Sequence, residues 1–434
     1  MKKLKALTTK LKNLMKVAGP GVITGAADDD PSGIATYSQT GAQFGYGMLW
    51  TALLILPFLT AMQEACARIG AVTGRGLAAN IKRYYNKKIL FAAVILVCLA
   101  NTINIGADIG AMAEATRLIF PKINFSLIAL FFTALILILE IFLNYKNYSK
   151  ILKWFVLSLL AYPVTVLMIN QPWGEIVRAT FIPNIEFSFA FFFIITGVLG
   201  TTISPYMFFW EASQEVEEEK SKHLLRKYGM PRGIKKFLKH MRLDNLLGMI
   251  FSELGSWCII IVAATVLHAN GVTNIATAAD AARALEPLVS TFPNAGLISK
   301  IIFATGIIGL GLLAIPVLSG SASYALSEAM SWRSGLNLKF KRAHGFYGII
   351  TIATLIGLMI NFIGIDPMKA LVFTAVFNGV VAVPLIFIIA KIANNKEIMG
   401  EYKSSKLSNV LVWSTFLIML ASALTMFFTL GKGM

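Results

Sequence analysis

The sequence predicts an all-α integral membrane protein of about eleven transmembrane helices, built as two five-helix halves in inverted repeat plus one extra C-terminal helix. Three observations carry that expectation. Hydrophobic residues make up 56% of the 434-residue chain and charged residues only 14%, against roughly a quarter charged in a soluble domain. Apolar windows of about 20 residues, each enough to cross a hydrocarbon core of roughly 30 Å, recur along its whole length. The first and sixth windows are both interrupted at proline. Broken helices at matching places in two halves point to a transporter with its site at the membrane midplane.

The windows run over about 17–44, 47–70, 89–116, 125–144 and 151–170, then 187–214, 245–269, 297–328, 346–364, 368–392 and 408–430. This divides the chain into a basic arm (1–16), a first repeat (17–170), a second repeat (187–392) and a final helix (408–430). Within the second repeat, 216–244 reads as a basic, solvated cytoplasmic loop. The net charge of +17 lies in short connections between spans, which argues for membrane orientation rather than nucleic acid. Lysine and arginine crowd the N-terminal arm and the connections after even-numbered spans, as at Arg75, Lys82 and Arg83, or Lys146 and Lys150. The positive-inside rule then places the N-terminus in the cytoplasm, and a multi-pass protein of the plasma membrane is expected. No apolar run with a small-residue cleavage site follows Met1-Lys2-Lys3, so no removable signal peptide is expected. Cys66, Cys98 and Cys258 fall in apolar segments and read as small hydrophobes.

The break in the first window is Asp30-Pro31-Ser32-Gly33. Pro31 donates no backbone hydrogen bond and pushes Asp30 out of helical geometry. The carbonyls that end the first half-helix are left unpaired at the negative end of its dipole. Carbonyls beside a carboxylate make a cation site of hard oxygen ligands. The bland alternative is that Asp30 only caps the second half-helix, with Pro31 at its first position. Inside a membrane an aspartate is costly and is a functional candidate by default. Asp28 and Asp29 either line the approach or pair with a basic residue. The second break, Gly200-Thr201-Thr202-Ile203-Ser204-Pro205, frees carbonyls near Thr201 and offers the Ser204 hydroxyl as the other wall.

The stretch Asp30-Pro31-Ser32-Gly33-Ile34-Ala35-Thr36, followed by Gly41-Ala42-Gln43-Phe44-Gly45-Tyr46 and Leu49-Trp50, resembles the first helix of the NRAMP family of divalent metal transporters. The likeness continues through Gln63-Glu64, Ala67-Arg68-Ile69-Gly70 and Thr73-Gly74-Arg75 to Met399-Gly400, covering ten spans in order. It implies a LeuT-like fold with helices one and six broken. It also implies a metal site at Asp30, Gly33, Thr201 and Ser204, with no resident cofactor and the metal as transported substrate. Typical members carry Asn where this chain has Gly33, and a Met thioether where it has Ser204. Losing both leaves fewer and harder ligands, which suits a partly hydrated Mg²⁺ or Mn²⁺. The pattern is similar to the divergent NRAMP-related magnesium transporters. A monomer in the bilayer is expected, with the divalent ion as its partner.

Members that couple metal to protons carry histidines where this chain has Tyr206 and Glu211. His223, His240, His268 and His344 all fall in loops or at span ends, so weak or absent proton coupling is expected. Tyr206, Asp108, Glu211 and Asn378 are lower-ranked cavity candidates. Glu64 is expected to pair with Arg68 one turn on. Glu140, Glu253 and Glu328 are expected at interfaces near span ends. No HExxH, CxxC or phosphate loop stands in the sequence, and no enzyme is expected. The alternatives are a proton-coupled Mn²⁺/Fe²⁺ importer and a non-transporting metal sensor.

Overall fold

The computed structural model describes residues 19–142, 159–222, 233–290 and 294–430. The basic arm 1–16, Lys146, Lys150, residues 151–158 of the fifth window and His223 lie outside the described residues. The rest is helical, with no strand among the described residues. Helices α1 (Pro20–Asp28) and α2 (Pro31–Phe44) form the broken first span. They are followed by α3 (Trp50–Thr73), the short amphipathic α4 (Leu77–Tyr84), α5 (Lys87–Ile119) and α6 (Phe125–Phe142). Helix α7 (Ala161–Met168) falls in the fifth window, and α8 (Trp173–Phe181) leads to the broken sixth span, α9 (Phe189–Thr202) and α10 (Pro205–Ser221). The second half continues with α11 (Ile234–Val266), a single turn-and-a-half α12 (Ala278–Arg283), α13 (Ala295–Ala329), α14 (His344–Ile360) and α15 (Pro367–Asn394). A short α16 (Lys396–Met399) precedes the last helix, α17 (Lys406–Thr429).

Among the described residues, eight helices are long and apolar enough to cross a membrane. The first span is not among them: any 18-residue window across Pro20–Phe44 holds Asp28, Asp29 and Asp30, whereas the sixth span, Phe189–Ser221, counts as one despite its break. Helix α14, with 17 residues, is apolar but shorter.

The packing shows the repeat that plain sequence identity does not. Helices α1 and α2 pack on α11, and α10 packs on α3. These are one contact seen from each half, the broken helix of one repeat against the second span of the other. In the same way α5 pairs with α6 and α13 pairs with α14, while α5 and α13 cross at the centre. Exposed apolar residues such as Leu127, Phe131 and Ile138 on α6 face outward, as a lipid-facing surface does.

Crossings this close depend on glycine. A Cβ on Gly200 of α9 would stand 2.1 Å from the Ala375 carbonyl oxygen and 2.2 Å from the Gly379 nitrogen on α15. Gly25 of α1 and Gly248 of α11 meet in the same manner, with a Cβ on Gly25 only 2.4 Å from the Gly248 oxygen. Gly200→Ala is therefore expected to destabilise the protein by about 1–3 kcal/mol through backbone overpacking. A thermal melt in detergent would read this as a lowered Tm. Gly174→Ala on α8, where nothing lies within 4 Å, serves as the control and is expected to be silent.

One boundary differs from expectation. Of the segment 216–244 taken as a loop, 216–221 continues α10 and 234–244 opens α11. Tertiary contacts account for this. Glu217 accepts a hydrogen bond from the Asn337 amide at 2.7 Å, and Phe237, Leu238 and Met241 form a buried face that extends α11.

Candidate functional site

Each break is a helix restarted by proline. Asp30 is the N-cap of α2, with φ −61° and ψ 173°, and Ser204 is the N-cap of α10, with φ −78° and ψ 140°. Pro31 and Pro205 follow at the first helical position, where their missing N–H is no loss. Both the capping reading and the break reading of Asp30 are thus realised in one geometry.

The Asp30 carboxylate accepts three hydrogen bonds. The Ser32 hydroxyl donates to Oδ1 at 2.6 Å, the Gly33 N–H to Oδ1 at 2.8 Å, and the Asn104 amide of α5 to Oδ2 at 2.9 Å. Ser32 Oγ lies 3.3 Å from Thr201 Oγ1, so a chain of hydroxyls joins Asp30 to the second break. A second link pairs the Tyr37 and Thr202 hydroxyls at 2.8 Å. Tyr206 donates to the Ala27 carbonyl at 2.9 Å, reaching back from α10 to the unpaired end of α1. A Cβ on Gly33 would meet the Asp28 carbonyl oxygen at 3.1 Å and Thr201 Oγ1 at 3.4 Å. Gly33 therefore sits between both breaks and adds no side-chain ligand. Asp30, Ser32, Thr201, Ser204 and Tyr206 are each about 1% exposed.

Asp30, Gly33, Thr201 and Tyr206 are thus brought together. Ser204 stands at the same break, and its one hydroxyl proton is shared between the Gly200 and Thr201 carbonyls at 2.6 and 2.8 Å. Asp108 is one turn beyond Asn104 on α5, buried, with neither oxygen partnered among the described residues. Asn378 is buried on α15 beside Gly379, which abuts Gly200, and its amide nitrogen has no partner among the described residues. Glu211 is buried farther along α10. It lies seven residues past Ser204, about 10 Å along the helix axis, and accepts a hydrogen bond from the Thr24 hydroxyl of α1. That bond fastens α1 to α10.

Other acids also moved. Asp28 takes the Ser252 hydroxyl at 2.6 Å rather than a basic partner, and Asp29 has no hydrogen-bond partner among the described residues. Glu253, expected at an interface, is buried within α11 near this pair and accepts from Ser256. Glu140 is likewise buried, taking the Ser319 hydroxyl of α13 at 2.6 Å. Glu64 does pair with Arg68, at 3.3 Å, and also with Arg242 at 2.9 Å. Among the described residues no three His, Cys, Asp or Glu side chains converge as a metal-holding group. The arrangement offers one carboxylate plus hydroxyls and carbonyls instead.

Sequence reasoning missed Asn104 as the partner of Asp30, and Tyr37 and Thr202 as a second tie. Their only signal is that each is polar at membrane depth.

The comparisons fit this geometry. The chain is similar to the divalent metal cation transporter MntH of Caldanaerobacter subterraneus subsp. tengcongensis, 25% identical over 98% of this chain and 96% of that one. In structure it is similar to the manganese transporter of Eremococcus coleocola, with TM-score 0.75 and 16% identity over 95% of this chain and 86% of that one. Mhp1, a nucleobase-cation-symport-1 family transporter, shares the fold with TM-score 0.56 at 12% identity, over 95% of this chain and 92% of that one. The family described as natural resistance-associated macrophage protein-like matches residues 21–429. With its helices broken at Asp30-Pro31 and Ser204-Pro205, this chain belongs to the Nramp family and is a membrane transporter rather than an enzyme.

Proposed function

We propose that the protein takes up divalent metal ions, Mg²⁺ and Mn²⁺, by alternating access, with weak or no proton coupling. In this reading it works as a monomer in the plasma membrane with a cytoplasmic N-terminus. The observation that carries it is the donor set where the two breaks meet. One buried carboxylate, Asp30, is joined through Ser32 to Thr201, with hydroxyls and carbonyls around it and no thioether at Ser204. Oxygen donors suit hard cations, and a small ligand count leaves an ion several of its waters. The relatives named for divalent metals and manganese support the ion class. The burial of the site supports alternating access, since an ion reaches Asp30 only after one side opens.

Weak coupling is supported by the groups along α10. Tyr206 hydrogen-bonds Ala27 and Glu211 hydrogen-bonds Thr24, so neither position presents an imidazole to the ion. His240, His268 and His344 are exposed.

Purified protein in proteoliposomes tests both parts. Mg²⁺ and Mn²⁺ are expected to enter down their gradients, and an internal pH dye is expected to stay flat during influx. Uptake of Fe²⁺ or Cd²⁺ without response to Mg²⁺ would refute the ion assignment. Acidification that tracks metal entry would refute the uncoupled mechanism. Binding without flux would make the protein a sensor.

A further inference from the structure

Away from the proposed metal site, α4 lies against the end of α13 and borders an open surface cavity of about 350 Å³. Its polar lining is Arg75, Lys82, Arg83, Glu328 and Ser331, with Trp332 at one wall. Three cations thus face one acid, and that acid is already engaged. Glu328 accepts the Ala79 backbone N–H at 3.0 Å and the Ser213 hydroxyl at 3.4 Å. Lys82 is held in place by donating to the Ala329 carbonyl and the Ser331 hydroxyl at 2.6 and 2.7 Å, which leaves its third N–H free for another acceptor. Arg75 and Arg83 form no ion pair among the described residues, and the Arg83 guanidinium lies over the Tyr84 ring, 5.4 Å from its centroid. Two guanidinium forks and a fixed ammonium make a receptor for a phosphate-type anion.

The surroundings distinguish the source of that anion. Helix α5 starts three residues after Tyr84, and Phe91, Ile95 and Leu99 lie exposed along it at four-residue intervals, one apolar stripe. Tyr84 and Trp332 are exposed beside the cations, the pairing of aromatic and basic residues typical of the bilayer boundary. Trp332 is pinned there, because a Cβ on Gly345 would fall 2.4 Å from its ring. A soluble anion matches only the basic half of this surface, whereas a phospholipid matches both halves. We propose that this cavity binds the headgroup of an anionic phospholipid, with its acyl chains against the Phe91–Ile95–Leu99 stripe.

The test uses the full-length protein in mixed micelles of phosphatidylglycerol and phosphatidylcholine, with retained lipid counted by native mass spectrometry. Phosphatidylglycerol is expected to be retained in preference to phosphatidylcholine. The double variant R75Q/R83Q is expected to lower its occupancy by roughly tenfold or more, while R75K/R83K keeps most of it. Unchanged retention in R75Q/R83Q would overturn the proposal, as would equal retention of both lipids. Inorganic phosphate that fully displaces phosphatidylglycerol would also overturn it, marking a soluble-anion site. Should R75Q/R83Q fail to fold, the two competitions on the unaltered protein decide alone. None of these readouts depends on metal flux, so the result stands apart from the transport reading.

Discussion

Replacing Asp30 with asparagine is expected to reduce Mg²⁺ and Mn²⁺ uptake by roughly 100-fold, with the folded protein retained. The substitution separates the two roles that Asp30 combines. Asparagine caps helices about as well as aspartate, and its Oδ1 can still accept from the Ser32 hydroxyl and the Gly33 N–H, as Asp30 does at 2.6 and 2.8 Å. Its amide would face the Asn104 amide, donor to donor. Asn104 can turn its own Oδ1, which is unpartnered among the described residues, toward it. The helix start is therefore preserved and only the negative charge is lost. A hydrogen bond to a charged group is worth up to about 3 kcal/mol; on that scale the lost charge corresponds to roughly 100-fold in affinity. Metal uptake in proteoliposomes, beside a thermal melt of the same preparation, checks both halves. Wild-type uptake in a folded Asp30→Asn protein would reduce Asp30 to a cap and remove the charged ligand from the proposed site.

How much of this was legible in the sequence follows from what each residue's partner is. The two breaks were readable because Pro31 and Pro205 act locally, through a missing N–H and a fixed φ, whatever surrounds them. The Glu64–Arg68 pair was readable for the same reason, being one helical turn apart. Asn104 was not, since its partner is 74 residues away and only the crossing of α5 beside α2 brings them together. The inverted repeat showed itself as two prolines in the sequence and as a contact pattern in the fold, because packing preserves the relation between helices while side chains diverge. Glu253 and Glu140 were misplaced because a hydropathy window does not say which face of a helix points inward. Helix α11 has 33 residues, so a glutamate near the edge of its apolar window is still deep inside the bundle. The length of α10 was missed for a related reason. Glu217 and Glu219 fall in the segment read as a solvated loop, yet α10 buries them against its neighbours.

Introducing a thioether at Ser204 is expected to shift selectivity from hard to soft ions. Ser204 caps α10 by its backbone only, with no side-chain cap bond, so methionine removes no cap. What it removes is the single O–H donor shared between the Gly200 and Thr201 carbonyls, which are left facing the break. Losing that shared bond costs about 1 kcal/mol of stability. In exchange the site gains a soft, polarisable donor beside Asp30. Cd²⁺, which prefers sulfur, is expected to improve by at least about tenfold relative to Mg²⁺, equivalent to roughly 1.4 kcal/mol of differential binding. Mg²⁺ uptake is expected to fall outright. A thioether gives it no useful ligand, and the longer side chain takes the space where its retained waters would lie. Competition between Cd²⁺ and Mg²⁺ in proteoliposomes bearing Ser204→Met measures the ratio directly. An unchanged ratio would mean that the ion does not contact position 204, and the hardness of the site would then have to rest on Asp30 and the Thr201 carbonyl alone.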